Sequence, residues 1–348
     1  MSSPTIKDVA KLAGVSISTV SRVMNESKPV SPESRRKVED AIKKLDFKRN
    51  ELARSLVMKR SNVIGVVVKD IGIPYMAQII RGVEEIGRMY RYDILLSSSY
   101  GDSEQEKNIV DFLFRKQAEA ILLVTENVSA EVVVKLKENE TPFIQLDKFY
   151  DGIINTVTID YSEACLNMTE YLFELGHKKI LFIKEFHNSR IGKEKYDGYN
   201  QAIKKAGLED YSITVEGVDV NDGYDLGDEV LKMVKEHGIT AVFASEDNLG
   251  IGLINYCYDK SIQVPTDLTV VGFGDSYLSS IYRPTLTTVQ EPYYDIGAVA
   301  MRRLIKALKK EDRIEDTVYL PTQIMERASS AKPKVKRSRA KKPAPTEE

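Results

Sequence analysis

From residue 61 onward the sequence alternates short apolar runs with longer amphipathic stretches, and no other feature narrows the possible folds as much. The runs lie at 63–68, 94–96, 120–124, 142–146, 179–183, 241–244 and 268–272. Between them, apolar residues recur at helical spacing over 76–91, 103–116, 129–138, 161–175, 193–206, 223–237 and 247–260. A run without polar alternation is a strand covered on both faces, and strand–helix–strand order builds parallel sheets flanked by helices. Roughly ten such units predict two similar α/β subdomains over 61–327, with a ligand cleft at the carboxyl ends of their strands.

The first 48 residues follow a different period. Thr5 with Asp8 three residues later is a capping-box pattern, and Ile6, Val9, Ala10 and Ala13 form an apolar stripe behind it. Gly14-Val15 interrupts the stripe, and Ser16 can cap a second helix. Ser31-Pro32-Glu33 opens a third, along which Val38, Ala41, Ile42 and Leu45 recur at helical spacing. Two helices about a tight glycine turn make a helix-turn-helix. At 100° per residue, Ile17, Ser18, Ser21 and Arg22 share one arc of about 140°, with Val20 and Val23 opposite. That arc offers an apolar tip, hydroxyls and a guanidinium. Those groups suit a thymine methyl, base edges and guanine in a DNA major groove, although a plain helical hairpin can show the same face.

The charge distribution agrees with a DNA-binding head. Residues 1–60 carry 14 Lys and Arg against 7 Asp and Glu, residues 328–348 carry 7 against 2, and the stretch between carries 29 against 43. A basic head on an acidic body suits a polyanion-binding module joined to a body that avoids nucleic acid. Residues 328–348 lack periodicity and are rich in Lys, Arg, Pro and Ala, which predicts a disordered basic tail, either a solubilising segment or a source of non-specific DNA affinity. Asn50 is a good N-cap, but the helix that it opens spans only about nine residues, too short to be stable alone. Leu52, Ala53 and Leu56 share a face there, with Arg54 and Lys59 nearby. The segment is either an interdomain linker or one of two paired helices that press leucines into a minor groove.

Several function classes drop out. No window is long and apolar enough for a transmembrane helix, and the first residues carry charge where a secretory signal needs an apolar run. A cytoplasmic protein without a membrane association is expected. Cys165 and Cys257 have neither metal-ligand nor redox spacing and read as buried free thiols of a reducing cytosol. His177, His187 and His237 stand apart from any catalytic motif, and no phosphate-binding loop, nucleophile elbow or zinc signature is present. The expectation is a chain that is not an enzyme and needs neither metal nor cofactor.

The segment Thr5-Ile-Lys-Asp-Val-Ala-Lys-Leu-Ala-Gly-Val-Ser-Ile-Ser-Thr-Val-Ser-Arg-Val-Met-Asn25 resembles, almost residue for residue, the head motif of the LacI/GalR family of bacterial repressors. Asn50-x-x-Ala-Arg-x-Leu56 resembles its hinge, and Gly176-His177, Gly198-Tyr199 and Pro284-x-Leu-Thr-Thr288 carry the likeness through the body, over about residues 4–327. The resemblance implies a helix-turn-helix headpiece over 1–48, a hinge helix over 49–60 and a periplasmic-binding-protein-like effector and dimerisation domain over 61–327. It implies a homodimer on a near-palindromic double-stranded DNA operator. Ile17, Ser18, Ser21 and Arg22 would contact bases. Thr5, Ser16, Thr19, Asn25, Asn50, Ala53 and Arg54 would contact the backbone or the minor groove, with Leu56 as a wedge.

Within the family, Met89-Tyr90-x-Tyr92, Val157-Thr-Ile-Asp-Tyr161 and Tyr294-Asp-Ile-Gly-Ala-Val-Ala-Met-Arg302 resemble the catabolite-control members. That likeness implies regulation of carbon metabolism with serine-phosphorylated HPr as a corepressor on the helix containing Tyr294. Read by angle alone, this helix gathers Asp295, Val299, Arg302 and Lys306 into one outward stripe, with Arg303 alongside, and turns Met301, Leu304, Ile305 and Leu308 toward the core. An exposed valine, a carboxylate and cations can pack on an apolar patch and pair with a phosphoserine, but the same stripe can be an ordinary solvated face.

The cleft departs from the sugar-responsive members. Gly272-Phe273 is followed by Gly274 where they place an aspartate, and Asp275 comes one position late. Glu246-Asp247 stands where they have an Asn-Asp pair, and Lys195 replaces an arginine. Bidentate and amide donors for sugar hydroxyls are thereby lost. Asp147, Lys195, Glu246 and Asp275 are candidates for a small-molecule cleft or for purely structural roles. The alternative function is therefore a repressor controlled by a sugar, a nucleoside or a phosphorylated sugar. A solute-binding protein for transport shares the body's architecture but lacks any use for the basic helical head.

Overall fold

The computed structural model describes residues 4–25, 28–47, 61–125, 128–146, 155–185, 190–311 and 316–334. The chain divides at Ser61 into two compact units.

The first unit holds helices α1 (Ile6–Ala13), α2 (Ile17–Asn25) and α3 (Pro32–Lys44). Their ends are fixed by short polar side chains that satisfy free backbone donors. The Thr5 N–H donates to Asp8 Oδ2 at 2.8 Å, and Ser16 Oγ accepts from the Thr19 N–H at 3.1 Å. Ser31 Oγ accepts from the Ser34 N–H at 3.3 Å. Gly14 ends α1 at φ 66°, a left-handed conformation that glycine adopts without a Cβ penalty. Val9, Ala10, Ala13, Val20, Val23, Val38 and Ala41 make the small core.

The second unit begins with β1 (Val63–Val68), α4 (Pro74–Met89), β2 (Asp93–Ser98), α5 (Ser103–Arg115), β3 (Ala120–Val124), α6 (Ala130–Glu138), β4 (Phe143–Leu146) and β5 (Thr156–Ile159). It continues through α7 (Tyr161–Leu175), β6 (Ile180–Glu185), α8 (Arg190–Lys205), β7 (Tyr211–Val215), α9 (Val220–Asp225), α10 (Gly227–His237), β8 (Ala241–Ala244), α11 (Asp247–Asp259), β9 (Thr269–Gly274), α12 (Tyr277–Ile281) and β10 (Thr287–Gln290). The last elements are α13 (Tyr293–Leu308), β11 (Thr317–Leu320) and β12 (Gln323–Met325).

Among the described residues these strands form two six-stranded sheets, in the orders β2-β1-β3-β4-β5-β11 and β7-β6-β8-β9-β10-β12. Every pairing is parallel except that of β12 with β10. The two expected α/β subdomains are thus present, each with the doubly wound order whose crevice opens at the strands' carboxyl ends. The chain passes between the subdomains after β5, after β10 and between β11 and β12. The second passage delivers α13 to the first subdomain, where it lies against α4. Gly82 and Gly297 make this approach possible: a Cβ on Gly297 would sit 2.1 Å from the Ile79 carbonyl oxygen, and one on Gly82 2.1 Å from that of Tyr294.

Two sequence expectations need correction. The stretch 223–237 is not one helix. It breaks at Leu226, and the next residue, Gly227, lies so close to the Tyr256 ring that a Cβ there would sit 2.1 Å from the ring's Cγ. Nor does the tail begin at 328. Ser329 is buried: its Oγ donates to the Val270 carbonyl at 2.6 Å and accepts from the Thr287 N–H at 2.8 Å. The Ala331 carbonyl accepts from His177 Nε2 at 2.9 Å and from the Thr269 hydroxyl at 3.1 Å, and Lys334 pairs with Asp267 at 2.5 Å. Residues 328–334 lack periodicity because they form a strap, whose polar groups find partners one by one across β9 and its neighbours. Residues 335–348 lie outside the described ones, as do the hinge residues 49–60. Both cysteines are buried and free. Among the described residues no helix is long and apolar enough to cross a membrane.

Candidate nucleic-acid interface and regulatory surfaces

On α2 the side chains sort as the helical period requires. Val20 and Val23 are buried, while Ile17 is 45% exposed and Ser18 and Arg22 are exposed. Ser21 is half-buried, so it sits at the margin of the outward face rather than at its centre. Ser16 Oγ also shares hydrogen bonds of 2.8 Å with the hydroxyls of Ser18 and Thr19. The N-terminal turn of α2 therefore presents three hydroxyls beside backbone N–H groups, a setting suited to a phosphate oxygen. At the start of α1, hydrogen bonds from Thr5 hold the Asp8 carboxyl below the usual carboxylate range and keep the capping box ionised. Asn25 closes α2. Asn50, Ala53, Arg54 and Leu56 lie outside the described residues.

The candidate corepressor helix α13 is only partly the surface that angles alone suggest. Asp295, Arg302 and Lys306 are exposed, and Met301, Leu304 and Ile305 are buried as expected. Val299 is not an exposed apolar contact. It is half-buried and packs on the core, because the close α4–α13 crossing rotates that edge inward. Tyr294 donates its hydroxyl to Glu85 Oε2 at 2.6 Å, and Arg303 forms an ion pair with Asp316. Its exposed apolar component comes instead from the end of α4. Met89 is 70% exposed, and the Lys309 ammonium lies 4.8 Å from the centre of the neighbouring Tyr90 ring. Met89 and Tyr90 are visible in the sequence, but nothing in their spacing places them beside α13, more than 200 residues later.

At the carboxyl ends of the second sheet, Lys195 is only 1% exposed. Its Nζ donates to Glu246 Oε1 at 2.6 Å and to the Ser245 carbonyl at 2.9 Å, and lies 4.3 Å from the Phe273 ring centre. Burial disfavours the ammonium, but Glu246, Glu291 and Glu185 outweigh it, so the net shift is upward and Lys195 stays charged. Asp275 belongs to a separate network. It pairs with Arg327 and accepts from Gln290 Nε2 at 2.8 Å and from Ser279 Oγ at 3.2 Å. The structure thus brings Lys195 and Glu246 together, sets Asp275 apart, and leaves Asp147 outside the described residues. Arg327 and Phe273 escape sequence reasoning because a lone arginine and a strand phenylalanine carry no periodic signal of a site.

Residues 5–50 match the family described as bacterial regulatory proteins, lacI family, and residues 169–330 match the periplasmic binding protein-like domain. Catabolite control protein A of Priestia megaterium is 37% identical over 331 residues, covering 94% of this chain and 99% of that protein. The chain belongs to the LacI family. The HTH-type transcriptional regulator RegA of Clostridium saccharobutylicum is 34% identical over 330 residues, across 94% of this chain and 99% of that one. The solved structure of transcription regulator CcpA of Lactococcus lactis aligns at 30% identity with a TM-score of 0.68, over 77% of this chain and 98% of that one. A Lac repressor dimer bound to operator and an anti-inducer aligns with a TM-score of 0.83 over 95% of this chain and 100% of that one; at 23% identity this speaks to the fold. As a LacI-family member, the chain is a DNA-binding transcription regulator and not an enzyme.

Proposed function

We propose that this LacI-family chain is a cytoplasmic regulator of the catabolite-control type, reading a near-palindromic operator as a homodimer whose DNA affinity rises when serine-phosphorylated HPr binds. The observation that carries DNA reading is the outward face of α2, with Ile17, Ser18 and Arg22 exposed over a buried Val20 and Val23. Ser21 completes the base contacts from the margin. Thr5, Ser16, Thr19 and Asn25 take the backbone, and the hinge supplies Asn50, Ala53 and Arg54 to the groove and Leu56 as its wedge. A homodimer is supported by large apolar side chains left in water on the second subdomain, Tyr258, Tyr277 and Ile281. The similarity to catabolite control proteins, together with exposed Arg302 and Lys306 on α13, Lys309 over the Tyr90 ring and exposed Met89, supports α13 and the end of α4 as the corepressor surface. Cations beside an exposed thioether and ring suit a phosphoserine set in an apolar patch. The mechanism is linkage: a partner that binds the DNA-competent dimer better than the other state shifts the population toward it.

Control by a sugar or a phosphorylated sugar finds less support. Lys195, Glu246 and Asp275 are committed to internal partners, and displacing them would uncover buried charge. Selection of bound duplexes from a random pool, with and without serine-phosphorylated HPr, tests the proposal. A near-palindromic consensus bound more tightly with the phosphoprotein is expected. An affinity indifferent to saturating phosphoprotein would sink the catabolite-control version, and failure to enrich any sequence would sink operator reading.

A further inference from the structure

We propose that Lys195 is a ligand supplied by the chain itself: its ammonium fills a cation site at the cleft end of the second subdomain, where an external molecule would otherwise bind. The ammonium has three donors. Two are used on Glu246 Oε1 and the Ser245 carbonyl, at 2.6 and 2.9 Å, and the Phe273 ring centre lies 4.3 Å away. The Tyr161 ring centre lies 5.8 Å away and stacks on Phe273 with centres 6.0 Å apart. A carboxylate, a carbonyl and two aromatic rings around a nitrogen are the groups with which proteins hold free organic ammonium ions. Here the cation is tethered to α8 by its own methylene chain.

The cage is also connected to the first subdomain. Tyr161 donates to Glu291 Oε2 at 3.3 Å, and Tyr293 donates to Glu291 Oε1 at 2.9 Å. Tyr293 opens α13 and stacks on Tyr75 of α4, with ring centres 5.0 Å apart. The occupied site is therefore linked, through Glu291, to groups on the other side of the cleft. Carboxylates outnumber the one ammonium, since Glu185 and Glu291 act on it together with Glu246. That surplus favours a cation over a neutral or phosphorylated sugar. The inference concerns the folded body alone and does not depend on how the chain is regulated on DNA.

The experiment is thermal unfolding of Lys195→Ala in the full chain, with n-propylammonium chloride or n-propanol added at equal concentration in salt-matched buffer. Truncation to alanine removes a fragment of the size of n-propylammonium. A fall in Tm is expected, reversed at least by half by n-propylammonium and not by n-propanol, with wild type unresponsive to either. Equal rescue by the alcohol, no rescue by the amine, or equal stabilisation of wild type would overturn the proposal. Should Lys195→Ala not fold, its refolding yield in the two additives gives the same decision. Lys195→Met is the second variant. It keeps the length and removes the charge, so a lowered Tm that neither additive restores is expected, and an unchanged Tm would overturn the cation site.

Discussion

Arg22 and His177 illustrate opposite fates for a polar side chain. Arg22 stands in water on the far side of α2 from Val20 and Val23. Arg22→Ala is expected to cost about 1–3 kcal/mol at the preferred operator and to relax base preference at one position. Titrations on operator and random DNA check this, and an equal loss on both would contradict base reading. His177 is buried and fully used. Its Nε2–H donates to the Ala331 carbonyl at 2.9 Å, which leaves Nδ1 to accept from the Thr240 hydroxyl at 2.8 Å. Burial lowers its pKa below 6.5, although the Ala331 bond works the other way. The unfolded chain therefore takes up a proton first as pH falls. Stability contributed by neutral His177 is complete above about pH 6.5 and declines as pH drops from there toward the lower folded value. His177→Gln keeps a donor and an acceptor and should flatten that part of the stability–pH curve, as measured by urea midpoints between pH 5 and 8.

Among elements, the α4–α13 pair crosses with backbone close against backbone at Gly82 and Gly297. Gly297→Val would drive a branched side chain into the Ile79 carbonyl, and a destabilisation of about 1–3 kcal/mol is expected from overpacking. An unchanged urea midpoint would show that the helices separate at no cost. The legibility of the elements follows their surroundings. Strands β1, β3 and β8 stand out because covered strands are continuous apolar runs, and their observed limits equal the expected ones. Strands β5 and β10 read Thr-Val-Thr-Ile and Thr-Thr-Val-Gln, so buried threonines conceal them. Strands β7, β11 and β12 are edges with part of their surface in water, too short and too polar to be distinguished from loop. In the same way the α2 face was legible because a helix's own period defines it. The aromatic cage around Lys195 was not, since Tyr161, Lys195, Glu246, Phe273 and Glu291 come from five separate segments.

At the scale of the whole molecule, the strap and the sequence beyond it make separable contributions. Removing 335–348 takes away Lys336, Arg337, Arg339, Lys341 and Lys342 and is expected to leave Tm unchanged while making non-specific DNA binding less steeply salt-dependent. Removing 327–348 also strips Arg327 from the poorly exposed Asp275 and Ser329 from β9. A loss of at least about 3 kcal/mol is expected there, because one charge of a largely buried pair is left alone. Calorimetry on the two truncations checks both, and equal Tm values would show that the strap is dispensable. The threefold passage between the sheets has a temporal consequence. The first sheet waits for 317–320 and the second for 323–325, so neither half is complete until that stretch has left the ribosome. During synthesis the headpiece alone is able to mature early, and the two halves of the body must be completed almost together.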